Sequence, residues 1–531
     1  MRATEGVDIP VSTPSKRRVP ALLHLGAAPA AAIALLPLVY LAVRATEHGW
    51  DPVWATLWRD RTLTLTLRSL ELAILVTSAC LVVGVGFAWL VTRTDLPGRR
   101  TVRVLLGLPL ALPSYVGAFG WIGWRPDLAG RTGAVIVLTS ISYPYVYLPT
   151  MAALRRCDPA LEDVSRSLGT GPVETFVRVI LPQIRTAAVG GGLLTGLYVL
   201  SDFGGVATMR YEVLTTVIFE SYRGAFDRTP AAVLGCVLAA IALLVVAAER
   251  LVRRRSGPTA KVGAGAPRAQ SIHRLGHARR PLLLLTTAWL AVVLGIPAWG
   301  MQLWFERGAA RPEAGRFLEA AANTLQVGAL GALAVVIVAF PLALLSVRHP
   351  GWYSRTAVAG VYAGHALPGV VVGLSLVFFG VGFAKPIYQE LPLLILGYAV
   401  LFISLSLGSL QNAIEQVPPG LHGVARSLGR SGLGAWWSVT ARLTAPGIGV
   451  AATLVFLTIM KELPTTLFLR PTGFDTLATQ LWSHSTSFSK AAAAPYAIAI
   501  VVLAALPTAL LATVGDVRPG RPRSNASEGA S

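Results

Sequence analysis

Charge is what this chain has least of. Asp, Glu, Lys and Arg make up 14% of its 531 residues, against roughly 25% in a soluble domain. Lysine is scarcest. None of the five (Lys16, Lys261, Lys385, Lys461, Lys490) follows a glycine, so the phosphate-cradling G-x-x-x-x-G-K-[ST] loop is absent. Three scattered cysteines, Cys80, Cys157 and Cys236, indicate neither a disulfide framework nor a metal cluster. No His, Cys or carboxylate group has ligand spacing. No nucleophile elbow or zinc-protease motif occurs, and no acid–base pair at fixed spacing supports a membrane-embedded enzyme.

What the chain has is apolar length: 54% hydrophobic residues, arranged in runs long enough to cross a bilayer at roughly 20 residues each. The reading is an all-α polytopic membrane protein of about 12 transmembrane helices in two homologous six-helix halves. The first half, 21–250, has spans near 21–43, 64–92, 101–124, 132–153, 186–208 and 230–250. The second, 281–514, has them near 281–304, 321–347, 354–383, 390–412, 445–468 and 490–514. The run at 21–43 is too long for a signal-peptide core. Between the halves, 251–280 is basic and rich in Gly, Ala and Pro, a flexible linker by composition.

The net charge of +20 does not point to nucleic acid, because the basic residues sit in short loops. With the N-terminus inside, the tails (1–20 and 515–531) and the segments 93–103, 154–185, 250–280, 348–355 and 413–444 hold 30 of the 46 Lys and Arg. That bias predicts cytoplasmic N- and C-termini.

One polar stretch occurs twice, after the fourth span of each half: LEDVSRSLG at 161–169 and LHGVARSLG at 421–429. The repeat extends to Ser69-Leu70 with Thr324-Leu325, and to Ala111-Leu112-Pro113 with Ala366-Leu367-Pro368. In each copy (158–182 and 419–442) a helix starts at a proline, stops at Gly169 or Gly429 and gives way to a second helix. Leu161, Val164 and Leu168 share one helix face, and so do Leu421, Val424 and Leu428. A lone copy would read equally as an amphipathic connector on the membrane. Two in register read as paired partner-docking sites.

These stretches resemble the EAA loops of permeases of type I ABC importers, pattern E-A-A-x-x-L-G…P…F…L-P. Asp163 stands at the acid, Gly169 at the glycine, Pro172 at the proline, Phe176 at the aromatic and Leu181-Pro182 at the end. The second copy departs, with Gly423, Gly432 and Arg442 at the acid, middle proline and final proline, and Trp436-Trp437 at the aromatic. The resemblance covers the chain in a fused two-permease form. It implies two copies of a cytoplasmic ABC ATPase docked on Leu161, Asp163, Val164, Leu168, Gly169, Phe176, Leu421, Val424, Leu428, Gly429 and Trp436. It also implies an extracytoplasmic solute-binding protein, ATP and magnesium on the ATPase, and no cofactor on this chain. The segments 201–211, 226–232 and 460–482 look like the ferric-iron branch; thiamine, phosphonate, polyamine and sulfate importers share the architecture.

Asp202 and Lys461-Glu462 fall at equivalent places in the fifth spans. Ionisable groups at membrane depth cost roughly 2.5–3.5 kcal/mol on insertion scales, so they are expected to face the translocation path, as a gate or as a structural lock. His365 and His484 read as packing residues. The competing reading is a proton- or sodium-coupled secondary transporter. It draws on TRTDLPGRR at 92–100, but leaves the repeated stretches without a role.

Overall fold

The computed structural model describes residues 21–224, 228–255, 272–307, 313–487 and 490–514. The expected N-tail, C-tail and 256–271 of the linker lie outside the described residues. Among those described, the chain is helical, with one isolated β-bridge between Thr94 and His273. Among the described residues nine helices are long and apolar enough to cross a membrane, or eleven if each of two bent pairs is one span. The expected span at 490–514 is the shorter apolar helix Lys490–Ala504, its backbone helical on to Val514.

The bent pairs are the expected third spans. Arg99–Ala111 and Ser114–Trp124 meet at 98°, and Trp352–His365 and Gly369–Gly382 at 104°. Both bends fall at the Leu-Pro step repeated between the halves. A proline ring forces the residue before it out of the helical region and removes a backbone donor. Pro113 and Pro368 themselves are extended, at φ −62°, ψ 144° and φ −60°, ψ 144°.

The fifth spans also differ from expectation. They stop at Ser201 and Met460 rather than running through 208 and 468. Short helices, Gly204–Thr208 and Pro464–Leu469, turn the chain, and Leu214–Gly224 and Leu477–Thr486 follow. The matched pair Ser69 and Thr324 has its explanation here. The Ser69 hydroxyl accepts from the Leu214 N–H at 3.0 Å, and that of Thr324 from the Leu477 N–H at 2.9 Å. Each caps a free donor at the start of the following helix.

The halves are not separate bundles. The first span, Leu23–Thr46, packs on second-half helices: Tyr353 donates to the His24 carbonyl at 3.0 Å and Ser375 to the Pro37 carbonyl at 2.8 Å. In return Ile296–Arg307 packs on Ser114–Trp124, where Trp304 donates to the Phe119 carbonyl at 3.1 Å. Glycine permits this crossing. A Cβ on Gly120 would lie 2.5 Å from the Pro297 oxygen, and one on Gly364 2.5 Å from the Ala34 oxygen.

Candidate functional site

Two features stand out: an elbow in each half, and a cavity where the broken helices of both halves converge.

In the first elbow the Asp158 carboxylate accepts from the Ala160 N–H at 2.9 Å and starts the helix Pro159–Ser167. Gly169 then takes φ +82° and Gly429 φ +85°. Thr170 N–H reaches back to the Ser165 carbonyl, and Arg430 N–H to that of Ala425, the same glycine-terminated wrap in both copies. The second helices, Pro172–Thr175 and Gly432–Ala435, open into wide π-type turns, Phe176–Ile180 and Trp436–Ala441, that run on into the fifth spans. Each elbow is thus continuous with a spanning helix.

The outer faces match. Leu161, Val164 and Leu168 are exposed, as are Leu421, Val424 and Leu428; Leu168 is 76% and Leu428 78% accessible. Phe176 and Trp436 turn inward instead. The ring of Phe176 lies 6.2 Å from Trp89 and that of Trp436 6.0 Å from Phe340, while Trp437 is exposed.

Beneath the first elbow lies a pair the sequence reading missed. Arg93 and Glu162 are both 0% accessible and 2.8 Å apart; Arg93 also donates to the Leu154 carbonyl at 3.0 Å. The acid at the family position, Asp163, is instead exposed and approaches Arg166 only to 3.9 Å. A lone arginine closing an apolar span was the available signal. At its counterpart in the second half, Arg348 donates to the carbonyls of Ile414 at 3.1 Å and Val417 at 2.7 Å.

Asp202 and Glu462 lie at helix breaks rather than within spans. With Lys461, Tyr145, Tyr198 and His365 they line a cavity of about 330 Å³ to which both halves contribute. Asp202 Oδ1 accepts from the Val206 N–H at 3.0 Å, and Glu462 Oε1 from the Thr465 N–H at 2.9 Å. Each carboxylate caps the short helix after the break, where freed N–H groups and the helix dipole favour a negative charge. The packing beside them is exchanged between halves. Ser114 meets Gly205, whereas its counterpart Gly369 meets Thr465, whose hydroxyl donates to the Gly369 carbonyl at 3.1 Å. A Cβ on Gly369 would sit 2.8 Å from Glu462 Oε1. His365 Nδ1 lies 2.7 Å from the Leu401 carbonyl, a fixed ring in the wall. His484, outside this cavity lining, stacks on Tyr496 at 5.5 Å. Among the described residues no three His, Cys, Asp or Glu side chains could hold a metal.

A broken-span bundle with two elbows is the architecture of a transport subunit, and the sequence comparisons agree. The chain belongs to the binding-protein-dependent transport system inner membrane components, matched at 81–257 and again at 336–516. It is thus a multi-pass ABC importer permease, working with an ATPase and a solute-binding protein. It is 33% identical over 480 residues to the Fe(3+)-transport system permease protein FbpB 2 of Haemophilus influenzae, covering 90% of this chain and 95% of that one. Shorter relatives cover about one half. A probable sulfate transport system permease of Chlorokybus atmophyticus is 27% identical over 40% of this chain and 81% of its own length. The molybdenum transport system permease ModB of Mycobacterium tuberculosis is 30% identical over 43% and 92%.

Proposed function

We propose that this chain carries ferric iron, delivered by an extracytoplasmic binding protein, into the cytoplasm. The elbows face the cytoplasm, with both termini on that side, and each seats one copy of an ABC ATPase. The observation that carries the docking role is the repeated exposed stripe, Leu161, Val164, Leu168 and Leu421, Val424, Leu428, on elbows continuous with the fifth spans. An apolar stripe with no core of its own calls for a partner. ATP and magnesium act on the ATPase; this chain supplies no nucleotide site and binds no cofactor of its own.

Phe176 and Trp436 fasten the elbows to the second spans, while Asp163 and Gly169 belong to the docking helix and its turn. When the ATPases close, the elbows pull on the fifth spans, and the breaks at Asp202 and Lys461-Glu462 open or shut the central cavity by rigid rocking of the halves. Lys461, beside two capped carboxylates, puts one cationic group in that wall. The extended identity to an Fe(3+)-transport permease supports iron as cargo.

The test is uptake into proteoliposomes holding the permease, ATPase and binding protein, with radiolabelled ferric iron, molybdate and sulfate offered separately. Iron uptake driven by ATP supports the assignment; uptake of an oxyanion and not iron overturns the cargo.

A further inference from the structure

The linker between the halves reads as flexible, yet its described end is fastened to the first elbow. Backbone pairing joins it to the end of the second span: His273 N–H donates to the Arg93 carbonyl at 2.8 Å, and Asp95 N–H to the His273 carbonyl at 3.2 Å. Two residues on, the Leu275 N–H is held by the Asp95 carboxylate at 2.9 Å. The His273 ring lies 5.9 Å from Trp89, the residue that meets Phe176 of the elbow. Its Nε2 stands 3.0 Å from Arg166 of the docking helix.

Arginine only donates, so Nε2 is the acceptor and the imidazole is neutral. Burial, then the Arg166 guanidinium, hold its pKa below the usual histidine value. The charged groups acting on it are Arg166, Glu162 and Arg93, with the Asp95 carboxylate bonded two residues along at Leu275. One strap therefore ties three parts together: the end of the second span, the docking helix and the entry to the second half.

The second elbow cannot be strapped in the same way. The counterpart of Asp95 is Pro350, which has no N–H to offer a strap.

We propose that His273 is a positioning residue for the first docking helix, and that the linker is a working part of the coupling machinery. It rests on the docking role argued above. Through His273 and Arg166 the first docking helix moves as one body with the end of the second span, so ATPase motion there is passed on rather than absorbed by a loose elbow.

The test uses the full permease with its ATPase and binding protein in proteoliposomes, reading ATP hydrolysed and cargo imported together. His273→Ala is expected to lower cargo per ATP about fivefold or more, the lower end of ordinary inter-site coupling, with the ATPase still bound. His273→Gln, which keeps an acceptor for Arg166, is expected to recover at least half of the ratio. An unchanged ratio in His273→Ala overturns the strap while the docking role stands, and so does equal damage by Ala and Gln. Loss of folding in the alanine variant leaves the glutamine variant and Arg166→Gln to decide. Arg166→Gln must then lower the ratio with unchanged thermal stability, or the proposal fails. If no ATPase associates with the unmodified permease, it is the docking reading that has failed.

Discussion

Leu168 and Leu428 stand at the tips of the two elbows with nearly the same exposure, yet their foundations differ. The first elbow rests on a buried ion pair, Arg93–Glu162, and on a hydroxyl cluster in which Ser165 lies 2.5 Å from Thr170 and 3.1 Å from Thr175. The second has Ala425 and Ala435, both buried, at the positions of Ser165 and Thr175, and Arg348 bonded to carbonyls. The common element is the backbone: a proline start, a left-handed glycine and a continuous path into the fifth span. The outer surface is set by that backbone, and its support can be polar or apolar. The sequence differences at Gly423, Gly432 and Arg442 suggest a weaker second grip; the leucine tips are alike in exposure, and the supports beneath them differ.

The largest effect should come from the shared turn. Proline fixes φ near −65°, which Gly169 and Gly429 at +82° and +85° cannot accept. Gly169→Pro and Gly429→Pro should each cut import by about tenfold or more, a loss of roughly 1.4 kcal/mol of coupling, with insertion unaffected. Uptake assays beside membrane-fraction blots check this, and normal import in either variant would break the equivalence of the elbows.

The foundations should then separate. Glu162→Ala leaves Arg93 buried without its carboxylate, at a cost of about 3–5 kcal/mol. Arg348→Ala removes two hydrogen bonds to carbonyls, about 1–3 kcal/mol. Thermal unfolding in detergent compares them, and equal losses would erase the distinction. The cavity offers a parallel pair. Gly369→Ala presses a methyl against Glu462 Oε1 and should cost about 1–3 kcal/mol by overpacking, whereas Ser114→Ala strips a hydrogen bond from the buried Asp202 carboxylate, about 1–3 kcal/mol by a lost bond. Unchanged stability in either variant, by the same assay, would refute the exchanged packing. The smallest effect is expected from Ser165→Ala with Thr175→Ala, which gives the first elbow the apolar form of the second. A loss above about 2 kcal/mol would show that the two supports are not interchangeable.

What could be read from the sequence was local. The proline starts and the stops at Gly169 and Gly429 act through turn chemistry within a few residues, so the outline of the elbows was legible. Asp202 and Glu462 were legible as charges in apolar surroundings. Pro113 and Pro368 were visible as a repeat but not as breaks, because apolar residues continue on both sides and hydropathy does not register a bend. The crossing of the first spans, the Arg93–Glu162 pair and the strap at His273 were not legible. Each joins segments far apart in the chain, and a single sequence does not say which helix ends meet.

The most direct test of paired docking counts ATPase copies by native mass spectrometry after purification of the intact permease, with Leu168→Asp and Leu428→Asp alone and together. The account predicts two copies on the unmodified permease, one on each single variant and none on the double variant. Two copies retained on the double variant would contradict it, and the elbows would then be connectors rather than docking sites.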